Sequence, residues 1–89
     1  MRYTLEQGQR YRAELELEGF EAWASNSMIR EKLEDYGFVE VIVTGDSSYR
    51  VAYATWIQEG ITGDIPSQIS DIREIDYGLR ELNTRDDGW

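Results

Sequence analysis

The sequence predicts a small α+β protein, a single antiparallel or mixed sheet with one or two helices packed on it. Three observations carry that expectation. Residues 10–17 alternate apolar and charged, residues 28–36 repeat apolar at +4 and +3, and two apolar runs at 38–44 and 49–57 flank a Gly-Asp-Ser-Ser turn. A period of two belongs to a strand with one buried face, and a period near 3.6 to a helix with one buried stripe.

Arg10–Leu17 is the first clear strand. Tyr11, Ala13, Leu15 and Leu17 point one way, and Arg12, Glu14 and Glu16 the other. Its charged residues suit a protected boundary strand, so it is expected at a sheet edge. Tyr3 and Leu5 alternate in the same manner over a shorter stretch, and Phe20, Ala22 and Ala24 extend the pattern beyond a bend at Glu18-Gly19.

A helix follows. Ser25, Asn26 and Ser27 each carry a side-chain oxygen able to accept a free first-turn N–H. Ile29, Leu33 and Tyr36, flanked by Met28, form its apolar stripe, and Gly37 stands where a left-handed residue ends a helix. Lys32, placed to pair with Asp35, is read as a solvated residue rather than a Schiff-base nucleophile.

Phe38–Thr44 is apolar on both faces, Val39, Val41 and Val43 on one and Phe38 and Ile42 on the other, which predicts an interior strand. Tyr49–Ile57 returns antiparallel to it. Tyr49, Val51, Tyr53, Thr55 and Ile57 share one face, and Ala52, Ala54 and Trp56 the other. Two small residues in succession admit the close approach of the 28–36 helix.

Gly60, Gly63 and Pro66 read as a loop. Beyond it Ile65, Ile69, Ile72, Ile75, Leu79 and Leu82 recur at +4, +3, +3, +4 and +3, which favours an amphipathic helix capped by Asp64. The β-formers of Ile72–Tyr77 give a fourth strand as the competing reading. The strand–helix–strand–strand order over residues 10–57 resembles half of a split βαβ, the ferredoxin-like arrangement; that resemblance is topological and implies no function. Residues 1–83 are read as one domain, and 84–89 as a short acidic tail ending in Trp89.

Composition narrows function. The 89 residues contain 18 Asp and Glu against 9 Lys and Arg, and neither Cys nor His. Thiol nucleophiles, disulfides, zinc–thiolate sites, imidazole bases and Ser-His-Asp triads are therefore excluded. A net charge of −9 repels phosphate, so direct nucleic-acid binding is not expected. Solubility, adaptation to high salt and phosphate mimicry are alternative origins of that charge. No apolar run approaches the roughly 18 residues of a membrane span, and Met1–Arg10 lacks a signal peptide's apolar core, so a cytoplasmic or virion-associated protein is expected. Glu14, Glu16 and Glu18, Glu34 with Asp35, and Asp86 with Asp87 all fall on expected solvated faces rather than in a cleft suited to acid–base work. Thr44-Gly45-Asp46 and Thr62-Gly63-Asp64 fit neither a phosphate loop nor an EF-hand. No catalytic residue, cofactor, metal or small-molecule substrate is expected.

The aromatic residues are the more informative feature. Eleven of 89 residues are Phe, Tyr or Trp, more than a core this small must hold. The sequence places Tyr11, Tyr49 and Tyr53 beside Val51 on one sheet face, and Trp89 at the end of the chain, as candidate partner-binding residues. The expected function is a non-enzymatic interaction or assembly module, an accessory subunit of the kind phages often encode, binding a protein partner or itself through an aromatic sheet face or an edge strand. The alternative is an acidic inhibitor that mimics nucleic acid, with Glu14, Glu16, Glu18, Glu34 and Asp35 as its negative stripe.

Overall fold

The computed structural model describes residues 2–75. Six strands, one 3-10 helix and one α-helix follow in the order β1 (Arg2–Leu5), β2 (Arg10–Glu16), the 3-10 helix Gly19–Trp23, α1 (Asn26–Tyr36), β3 (Phe38–Asp46), β4 (Tyr49–Trp56), β5 (Ile61–Asp64) and β6 (Ile69–Ile75). The α+β class stands. Four strands form an antiparallel sheet in the order β3-β4-β2-β6, and β1 pairs with β5 as a separate ribbon. Because β2 and β3 both run antiparallel to β4, they are parallel to each other, and α1 makes the crossover between them.

Local chemistry explains α1. The Ser25 hydroxyl accepts the Met28 N–H at 3.1 Å, and Gly37 closes the helix with φ of 117°, its N–H bonded back to Glu34. Ile29 and Leu33 pack with Ala22, Val43 and Ile69 against the buried core of Leu15, Leu17 and Ala52. The alanine side of β4 thus receives the helix, as the residue sizes predict. Arg30 pairs with Glu34 at 3.9 Å across one turn.

Several features depart from the sequence reading. First, the edge and the interior are exchanged: β2 lies between β4 and β6, whereas β3 lies at the edge. The charges of β2 are the solvated face of an interior strand, and Arg12 and Glu14 pair with each other at 2.8 Å. Edge strand β3 is interrupted instead, by a register shift between Val39 and Ile42 where Glu40 has φ of 52°. Such a bulge impairs further pairing along an edge. It also breaks strict alternation, so Phe38 pairs with Trp56 on the face that holds Val43 and Ala52, opposite Ile42.

Second, residues 69–75 are a strand, not part of a helix. A register shift opposite Glu14 and Leu15 seats Ile69 across from Leu15 and Ile72 across from Ala13. That shift puts two isoleucines three apart on one face, a spacing that imitates a helix. Pairing satisfies the outer backbone groups of β2, so the β-rich alternative prevails. Leu79, Leu82, residues 76–83 of the predicted domain and the tail with Trp89 lie outside the described residues.

Third, 57–64 is not wholly a loop, and Asp64 caps no helix. β5 pairs with β1, and Asp64 faces Arg2 at 3.7 Å. Fourth, 20–24 is not extended; it belongs largely to the 3-10 helix. The β3–β4 turn is tighter than predicted, with strand structure continuing through Gly45-Asp46 and only Ser47-Ser48 between the strands. Gly45 has φ of 100°, and a Cβ there would lie 2.6 Å from the Tyr49 carbonyl oxygen, so the position requires glycine.

Candidate functional site

Antiparallel partners share a face, so register alone sorts the side chains of the sheet. Tyr11 pairs with Ala54, Ala13 with Ala52 and Leu15 with Arg50, all on the helix-covered side. Arg12 pairs with Tyr53, Glu14 with Val51 and Glu16 with Tyr49 on the other. Ile42, opposite Tyr53, completes this second face from β3.

The predicted site residues therefore separate. Tyr49 and Tyr53 come together on the open face, Tyr49 47% exposed and Tyr53 half-buried, with Val51 buried between them. Tyr11 does not join them. It is 2% exposed, its ring meets Tyr3 edge-on at 5.9 Å, and its hydroxyl oxygen accepts the Glu6 N–H at 2.7 Å. Burial raises the pKa of both the Tyr11 and Tyr3 phenols. Tyr11 anchors the strand ribbon to the sheet and presents no free surface. It was placed wrongly because alternation within β2 says which residues travel together, not which way they face.

The open face is tyrosine joined to charge. Arg12 donates to the Glu14 carboxylate at 2.8 Å, and Tyr53 and Tyr49, opposite these two strand neighbours, lie within their electrostatic reach. The hydrogen bond from Arg12 holds the Glu14 carboxyl below the usual glutamate range, and Arg12 is correspondingly raised. Arg10 fixes the border with β3, its guanidinium donating to Thr55 Oγ1 at 2.8 Å and to the Glu40 carbonyl at 3.0 Å.

Sequence reasoning missed the most exposed rings among the described residues. Phe20 and Trp23 stand on the 3-10 helix, 88% and 84% exposed, with ring centroids 6.3 Å apart in an edge-to-face pair. A spacing of three after Glu18-Gly19 was the available signal, since residues i and i+3 eclipse on a 3-10 helix.

Open depressions at the surface of the described residues include two of similar size. One, of about 450 Å³, is lined by Glu16, Leu17, Glu18, Ser48 and Tyr49, and one of about 440 Å³ by Met28, Glu31, Lys32, Asp35 and Tyr36 on α1. Among the described residues no cluster of three or more acids is placed to hold a metal ion, and no helix is long and apolar enough to cross a membrane. The chain matches no protein-family model, and no curated protein or solved structure matches it.

Proposed function

We propose that this chain is a small non-enzymatic interaction module, an accessory or assembly subunit that binds a protein partner or a second copy of itself. Its scaffold is read as a ferredoxin-like half in which α1 covers one sheet face and the other is offered for binding. The observation that carries this reading is the pair Tyr49 and Tyr53, on the open face beside the Arg12–Glu14 ion pair and exposed Ile42. Tyrosine provides large amphipathic contact area at low entropic cost. Trp89 is kept as a second anchor, and the outer edge of β6 as a place for strand addition.

Acidic mimicry draws less support. Glu14, the first residue of the proposed stripe, is paired with Arg12, and Arg73 stands opposite Arg12 in the register. A mimic needs unbroken negative charge.

Light scattering of the full chain, followed by pulldown against the source lysate, tests the module. The expected result is an oligomer or a stoichiometric partner, lost on Tyr53→Ala. A strict monomer that retains no partner, or a complex indifferent to Tyr49→Ala, Tyr53→Ala and deletion of Trp89, would overturn it.

A further inference from the structure

The 3-10 helix is fastened from beneath while its rings stay in water. Arg50, 3% exposed, donates to the Ala22 carbonyl at 3.1 Å, to Asn26 Oδ1 at 2.9 Å and to the Ser47 carbonyl at 3.0 Å. Gln68 Nε2 donates to the Glu21 carboxylate at 2.8 Å, and the Glu18 N–H donates to the same carboxylate at 3.4 Å. Ala22 faces the core, whereas Phe20 and Trp23 face out. A buried arginine is thus used to order a five-residue segment that buries neither of its large rings. Ordering in advance is what lowers the cost of binding.

Charge identifies the occupant. Beyond the Arg12–Glu14 pair, residues Leu15 to Ile29 contain three glutamates and no Lys or Arg. Glu16 and Glu18 line the depression beside Tyr49, immediately before the 3-10 helix. A second copy of the chain would bring the same negative segment and a net charge of −9, which disfavours self-pairing at this surface. Guanidinium suits it best, because its plane stacks on aromatic faces and its fork binds carboxylates.

We propose that Phe20 and Trp23, with Glu18 at the start of their helix, form a docking surface for an arginine-bearing, partly apolar segment of a protein partner. The inference rests on the reading of the chain as an interaction module but not on the Tyr49–Tyr53 face.

The test is titration of the full chain with an amidated peptide of alternating arginine and leucine, followed by calorimetry and tryptophan emission. Phe20→Ala and Trp23→Ala should each weaken binding by on the order of tenfold, and added salt should weaken it further. Because both rings are exposed, urea midpoints should stay near wild type and show that the variants fold. Glu31→Gln with Asp35→Asn, acids remote in sequence on α1, should leave affinity unchanged. Equal binding of a glutamate–leucine peptide, indifference to Phe20→Ala and Trp23→Ala, or equal loss with the α1 acid variant would each overturn the proposal. If Tyr53→Ala dissolves the native complex while both ring variants keep full peptide affinity, only this inference fails. If the ring variants lose the peptide and Tyr49 and Tyr53 affect no complex, only the sheet-face reading fails.

Discussion

The two faces of the four-stranded sheet are built from alternate residues of the same strands, yet they hold different kinds of chemistry. On one, Leu15, Ala52, Ala54 and Trp56 are buried under or beside the helices and the β1–β5 ribbon. On the other, Arg12 and Glu14 pair with each other beside Tyr49 and Tyr53, and Val51 is buried between the two rings. The covered face gains its stability from excluded water and close packing. The open face keeps aromatic area available beside a charge pair, Arg12 and Glu14, that is matched within the chain. Substitutions should therefore divide cleanly, stability changing on one side and association on the other.

Leu15→Ala is expected to be the most damaging, at about 3–4 kcal/mol, since it leaves a cavity among Leu17, Ala52 and α1; equilibrium urea unfolding checks it. Arg50→Met follows at about 1–2 kcal/mol, because the part-buried bonds to Ser47, Ala22 and Asn26 are lost together. Its amide exchange should accelerate first around residues 19–26. Tyr11→Phe should cost about 1 kcal/mol through the lost Glu6 bond. Wild type should also lose stability at alkaline pH as the Tyr11 phenol ionises. Burial raises its pKa, so the stabilisation is complete below the ordinary tyrosine value and disappears as pH rises through the raised one. The Phe variant should flatten that limb.

On the open face, Tyr49→Ser and Tyr53→Ser should each change unfolding free energy by less than about 1 kcal/mol while removing association measured by light scattering. A stability loss as large as that of Leu15→Ala would mean that this face is core. The smallest effect is acidic. Glu14 titrates below the usual glutamate range, so its contribution is present above that range and is lost as pH falls through the lowered value. The Tyr49 ring resonances should shift in that window in wild type and not in Glu14→Gln.

Much of this division was legible in advance. Alternation put Tyr49, Val51 and Tyr53 opposite Ala52 and Ala54, and the +4, +3 spacing with Ser25 and Gly37 defined α1. What failed did so at bulges and at pairings. The shift near Glu40 turned Phe38 to the unexpected face, and the shift opposite Glu14 gave Ile69 and Ile72 a helical spacing within a strand. Phe20 and Trp23 were passed over because a single 3-10 turn is too short for periodicity to register.

Local rules act within a few residues, so the residues themselves determined the helix and its caps, the faces of β2 and β4, and the absence of thiol and imidazole chemistry. Strand neighbours are chosen by contacts far apart along the chain. Only the tertiary structure decided that β2 is interior and β3 the edge, that Tyr11 faces inward, and that Arg50 reaches across to hold Phe20 and Trp23 in water. Each outcome depends on which backbone groups and side chains meet after distant segments pair, a competition that no single segment encodes.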